Sequence, residues 1–145
     1  MLHLDIITPD ETVFEGECDA VTLPTADGEI TVLPHHVPLM STLVPGTVIV
    51  RKDKEEFIFA VTRGVIEIDG RSARILAETA DRAEGLQEAA IEKAKADAQK
   101  LLSERREDTE GFAEATALLE RELAKLHTIR RHHARRGGLP RQSQQ

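Results

Sequence analysis

The chain has 145 residues and carries 26 acids against 19 bases, a formal charge of −7, which suits one ordinary domain or a small domain with an appendage. It contains no Trp or Tyr, a single cysteine and no apolar run near eighteen residues. These features argue against stacking on nucleic-acid bases, an internal disulfide and a membrane-spanning helix.

Residues at the start read as strands. Leu2, Leu4 and Ile6 alternate with His3 and Asp5, and Thr8-Pro9-Asp10 closes the run. No basic flank follows Met1 and acids appear early, so no signal peptide is expected and a cytoplasmic location is. Val13, then residues 15–23, give two further short runs, with a break expected near Gly16. Residues 21–46 hold four of the six prolines, Pro24, Pro34, Pro38 and Pro45, between short apolar stretches. Proline has no N–H and a fixed φ, so these stretches are expected as short strands at edges and bends. Asp27-Gly28 reads as a hairpin turn, and Pro45-Gly46 as a type II turn. Residues 47–50 and 57–61 predict a hairpin whose loop is the charged RKDKEE. Residues 65–68 and 72–76 predict another, with a type I′ turn at Asp69-Gly70. Short strands at this spacing imply an antiparallel β-sandwich or barrel.

Composition then changes. Val and Ile number 17 in residues 1–80 but two in 81–145, whereas alanine rises from six to eleven. β-branched side chains favour strands and alanine favours helix, so a boundary falls in residues 79–85. The division expected is a sandwich over 1–82 and a helical hairpin over 83–145. Residues 86–106 predict a helix with Leu86, Ala90, Ala94 and Leu101 on one face. Residues 107–111 interrupt it, with Asp108 or Thr109 as a cap. Phe112, Thr116, Leu119, Leu123, Leu126 and Arg130 then mark a second helix. Each large apolar residue contributes roughly 1.5–3 kcal/mol when buried, while ordering each residue costs about 1–2 kcal/mol of backbone entropy. With mostly alanine on its facing stripes, the hairpin is marginal unless it docks on something.

Charge is segregated too. Residues 1–80 carry fourteen acids and six bases, whereas 121–145 carry seven bases and one acid, Glu122. A basic helix end complements its own dipole, or meets a negative strip on a partner. No catalytic constellation emerges. His35 and His36, read as strand neighbours, point to opposite faces. His127, His132 and His133 lack the spacing of three or four that aligns helical ligands. No phosphate-binding glycine motif and no activated Ser or Cys is found. Neither a cofactor nor a metal site is expected. A cytosolic adaptor binding nucleic acid through the arginine-rich arm is the alternative.

The segment GEITVLPHHVPLMSTLVPG resembles the corresponding stretch of the epsilon subunit of bacterial F-type ATP synthases, with Glu29, Leu33, Pro34, His36, Pro38, Leu39 and Gly46 matching in place. Thr31 departs from a family glycine, and His35 from a glycine or asparagine. FAVTRGVIEI, ARILAETADRA and ALLERELAKLHTIRR extend the likeness over nearly the whole chain, Gly64 included. The resemblance implies a ten-stranded sandwich and a two-helix hairpin in the central stalk, without catalysis. Its implied partners are the gamma subunit, the c-ring and, when the hairpin extends, the beta subunit, at the cytoplasmic face of the plasma membrane. On this basis Asp27, Glu29 and His36 are expected to dock the sandwich. Arg121, Lys125, Arg130, Arg131, Arg135 and Arg136 are expected to form the arm that restrains ATP hydrolysis. Some family members bind ATP through [IL]-D-x-x-R-A; here Gln87, Ala90 and Ile91 replace its aspartate, arginine and alanine.

Overall fold

The computed structural model describes residues 1–104 and 109–143, the last ten of these as backbone only. The described residues form ten strands followed by two helices. The strands are β1 (Leu2–Ile7), β2 (Thr12–Cys18), β3 (Ala20–Thr25), β4 (Gly28–Val32), β5 (Leu39–Leu43), β6 (Gly46–Lys52), β7 (Glu55–Val61), β8 (Gly64–Ile68), β9 (Ser72–Ala77) and β10 (Ala80–Arg82). The helices are α1 (Glu88–Glu104) and α2 (Thr109–Ser143). One continuous sheet runs β10-β7-β6-β3-β5-β8-β9-β1-β2, with β4 paired to β3. It folds over a core in which Leu2, Leu4, Ile6, Val21, Leu23, Val32, Leu43, Phe59, Ile66 and Ile75 are fully buried. The sandwich is antiparallel except at β1–β9, which pair in parallel from His3–Ser72 to Ile7–Leu76. A parallel pair needs a long connection, and nearly the whole sandwich supplies it here.

Strict alternation holds where one face is wet: β1 buries Leu2, Leu4 and Ile6 and turns His3 and Asp5 outward. In β6, by contrast, Thr47, Val48, Ile49 and Val50 are all buried, because Val48 and Val50 face the core while Thr47 lies beneath α2. Burial on both faces makes such a strand read as an unbroken apolar run.

The expected hairpin at Asp27-Gly28 forms between β3 and β4, with Gly28 at φ 117°. Several other turns differ from the expectation. In the second hairpin turn Gly70 takes φ 96°, but Asp69 is not left-handed, so that turn is not type I′, which needs positive φ at both central residues. At the second, the Asp69 carboxylate accepts from the N–H groups of Arg71 and Ser72 (3.1 and 2.8 Å) and from the Ser72 hydroxyl. The Ser72 N–H, chiefly, holds that carboxyl below its usual range. Gly46 is not left-handed either, which rules out the type II turn. It lies inside β6, where an added Cβ would stand 3.0 Å from the Pro24 ring, so close approach selects it. The charged RKDKEE is mostly strand: Arg51 pairs with Glu56 and Lys52 with Glu55, leaving Asp53-Lys54 as the loop. Its polarity marks exposed edges of the two strands. Nor does β2 break at Gly16; the break falls at Asp19, whose carboxylate accepts the Asp53 N–H at 2.7 Å.

Gly64 sits between β5 and β9, opposite Leu43 and Ala77, and an added Cβ would overlap the Leu76 carbonyl. Gly64→Ala is expected to destabilise the sandwich by about 1–3 kcal/mol, because backbone must move to admit the methyl; urea unfolding measures it. Cys18 is fully buried, and that burial pushes its thiol up to about 11. The thiolate is the reactive form. At mildly alkaline pH the native chain should therefore resist a chromogenic disulfide reagent, and the thiol should react fully once urea unfolds it.

The helices form a hairpin that packs on the sandwich. Leu86 precedes α1 and does not set its phase; Ile91 and Ala98 are the buried positions and Ala90 is exposed. Of the expected stripe, Leu86 packs beside Ile91 while Ala94 and Leu101 are half-buried, so Ala90 is the position that falls off the observed seam. On α2 the buried residues are Gly111, Ala115, Glu122, Ala124, Leu126, Thr128 and Ile129, while Phe112 and Leu123 are each 43% exposed. Small side chains allow close backbone approach on two sides at once. Leu126 and Ile129 meet Ile91 of α1. Thr128 faces β6, where its hydroxyl stands 2.9 Å from that of Thr47, both buried. The expected interruption at 107–111 falls partly outside the described residues, as does the capping role of Asp108.

Candidate interaction surfaces

Asp27 and Glu29 lie at the β3–β4 turn. Thr25 Oγ1 organises it, donating to the Gly28 carbonyl at 2.6 Å and accepting the Asp27 N–H at 3.2 Å. His36 lies beyond the far end of β4, about 15 Å along the strand at roughly 3.4 Å per residue. The three do not gather into one patch. His36 belongs to a turn, not a strand, and its Nδ1 donates to the Val37 carbonyl at 2.8 Å. His35 takes φ 68°, and its N–H donates to the Gly70 carbonyl at 2.8 Å, tying this loop to the β8–β9 turn. A left-handed residue is where glycine or asparagine costs least, so His35 holds this conformation at some cost. Beside His36, Leu33, Val37 and Met40 are 55%, 74% and 71% exposed, an apolar surface that composition alone did not single out.

The basic residues do not share a face. Arg121 makes a two-pronged pair with Asp81 of β10, at 3.0 Å from Nε and 2.8 Å from Nη2. The hydrogen bonds to Asp81 raise its already high pKa further. Arg131 grips Glu29 of β4 at 2.8 and 3.4 Å. Arg130 turns the other way, to Glu88 and Glu92 of α1 at 3.3 and 3.1 Å. Lys125 pairs with Glu122 in its own helix at 3.1 Å. A further pair joins Arg63, after β7, to Glu120 of α2. The side chains of Arg135 and Arg136 lie outside the described residues. The negative strip that the arm meets here is the chain's own: Glu29 and Asp81 on the sandwich, Glu88 and Glu92 on α1. Sequence reasoning missed these partners because they lie 38 to 102 residues away.

The residues in place of the nucleotide motif line a cleft of about 410 Å³ with Gly85, Leu86, Ala94, Glu122 and Lys125. Lys125 is the cation in that lining, and Glu122 holds it. A triphosphate needs several cations to offset its charge.

Comparison with known proteins gives a consistent picture. Residues 1–83 match the family described as ATP synthase, Delta/Epsilon chain, beta-sandwich domain. The ATP synthase epsilon chain of Alkalilimnicola ehrlichii is 36% identical over 131 residues, covering 90% of this chain and 93% of the relative. That of Chloroflexus aggregans is 34% identical over 135 residues, covering 93% and 96%. That of Bordetella parapertussis is 39% identical over 126 residues, covering 86% of each. Among solved structures, a chain of the Euglena gracilis mitochondrial ATP synthase (OSCP/F1/c-ring, rotational state 1) superposes with a TM-score of 0.68 at 21% identity, covering 85% of this chain and 78% of that one. At that identity the likeness concerns the fold.

Proposed function

The chain belongs to the ATP synthase epsilon-chain family, and from that premise we propose that it serves as a non-catalytic central-stalk subunit coupling ion-driven rotation to ATP synthesis. The observation that carries this is the extent of the match: relatives align over both the sandwich and the hairpin, with 86–96% of their own lengths covered. The sandwich, over residues 1–82, is the part that stays with the gamma subunit and the c-ring. His36, with its apolar neighbours, and Asp27 supply the c-ring contact. The hairpin, from residue 83, is the regulatory part. When it swings out, Arg121, Lys125, Arg130, Arg131, Arg135 and Arg136 become available to the beta subunit. Glu29 then has two roles, since it holds Arg131 while the hairpin is docked.

Among the described residues no helix is long and apolar enough to cross a membrane. In this reading the complex holds the chain at the cytoplasmic face of the plasma membrane. The cleft by Lys125 lacks the cations for a triphosphate, so the hairpin is governed by charge pairing and not by bound ATP. A nucleic-acid adaptor is not favoured, because the likeness to ATP synthase epsilon chains runs over both the sandwich and the hairpin.

Membranes from source cells lacking this chain test the proposal. ATP-driven proton or sodium pumping should collapse and return when the chain is restored. Pumping that is unchanged without the chain would overturn it.

A further inference from the structure

We propose that His3, Asp5 and Glu15 bind a divalent transition-metal cation of the zinc class on the outer face of β1–β2, with Glu17 orienting the histidine. The pleat turns His3 and Asp5 away from the core, because Leu2, Leu4 and Ile6 fill it. The antiparallel register then sets Glu17 opposite His3 and Glu15 opposite Asp5, so four ligating side chains form a square on one face. One ligand atom from each of His3, Asp5 and Glu15 lies within 4.8 Å of the other two. Ligands about 2.1 Å from a zinc ion stand no more than roughly 4.2 Å apart. Small rotations of these partly exposed side chains close the difference.

The histidine is already aimed. Its Nδ1 stands 3.1 Å from Glu17 Oε1, and its Nε2 stands 3.2 Å from Asp5 Oδ1. Without a cation a protonated ring donates to both Glu17 and Asp5, which raises its pKa; once Nε2 loses its proton, with Nδ1–H still on Glu17, the Nε2 lone pair is left beside Asp5 for a metal to take. A carboxylate behind a histidine in this way fixes the tautomer of metal-bound imidazole. One imidazole nitrogen with two carboxylate oxygens selects zinc, cobalt or nickel over magnesium or calcium, which prefer oxygen alone. Arg74 lies next to Asp5 in the β1–β9 register, yet none of its ion pairs with these carboxylates is within 4 Å. The competing account is electrostatic: β2 ends the path of strands, and charge on an edge strand discourages pairing with other chains. Such an edge would hold cations weakly and without regard to the imidazole.

The test is a cobalt(II) titration of the full-length, tag-free chain at mildly alkaline pH, where the imidazole is neutral. Amide resonances of residues 3–5 and 15–17 should broaden first, and the stoichiometry should fall by one in His3→Ala and in Asp5→Asn/Glu15→Gln. Glu17→Ala should weaken the site by about 10–100-fold. Excess magnesium should leave the cobalt in place. The site is refuted if broadening centres on His35-His36 or His132-His133, if the stoichiometry survives His3→Ala, or if magnesium displaces the cobalt.

Discussion

Truncation after Arg106 is expected to raise ATP hydrolysis by the assembled enzyme about 2–10-fold, the relief that follows when the inhibited arrangement is between half and nine-tenths populated. The deletion removes α2 and with it every base proposed to meet the beta subunit. A single Arg→Ala change should do far less, because one exposed ion pair contributes only about 0–1 kcal/mol. The sandwich keeps its own core, since the buried cluster of Leu2, Leu4, Ile6, Phe59 and Ile75 contains no helical residue. Coupling should therefore survive while restraint is lost. Hydrolysis that stays flat on truncation, at low and at high salt, would remove the brake and leave α2 as packing alone.

The second large effect is expected at the latch between hairpin and sandwich. Among the described residues, the ion pairs that cross that boundary include Arg121–Asp81, Arg131–Glu29 and Arg63–Glu120. Arg121–Asp81 is two-pronged with its carboxylate 19% exposed, so it lies near the top of the range for such pairs, and the other two lie lower. Together they amount to about 1–2 kcal/mol, or roughly 5–30-fold in the docked-to-released ratio. The variant Glu29→Gln/Asp81→Asn/Glu120→Gln removes all three and leaves the buried Thr47–Thr128 contact intact. Spin labels at Lys54 and Leu118, both exposed, report the separation, and the buried Cys18 does not compete for label. A second, longer distance should appear in the variant. Added salt should move the native chain the same way and leave the variant little changed, since screening acts on pairs already lost. An unchanged distance would mean that apolar packing on β6 and β7, not charge, holds the helix down.

Particular residues explain what the sequence could and could not disclose. Leu2, Leu4 and Ile6 disclose β1 because a one-sided strand writes its burial in alternation. The change from strands to helices after residue 82 is equally visible, since Val and Ile give way to alanine there. Turn types were less legible. Asp-Gly pairs favour type I′, but the Asp69 side chain gathers two backbone N–H groups and makes a longer loop. Gly46 resembles a turn glycine, yet the neighbouring Pro24 ring is the reason for it, and no local pattern records that neighbour. The second helix stripe was partly misplaced for a related reason. On α2 the expected stripe placed Phe112 and Leu123 on the buried face, whereas Ala115 and Ala124 occupy it beside Leu126, leaving Phe112 and Leu123 part-exposed. The arm was legible as charge but not as pairing, since Arg131 and Glu29 are 102 residues apart. The alanine-rich hairpin does have a surface to dock on, since α2 lies on β6 and β7.

The most direct test of the stalk assignment is recovery of the chain from detergent-solubilised membranes of the source cell. If it is a rotor subunit, capture through this chain should yield the gamma subunit and the c-ring in fixed proportion, and a form ending after residue 83 should yield the same two. Recovery of the chain alone from the soluble fraction, with neither subunit enriched, would contradict the assignment.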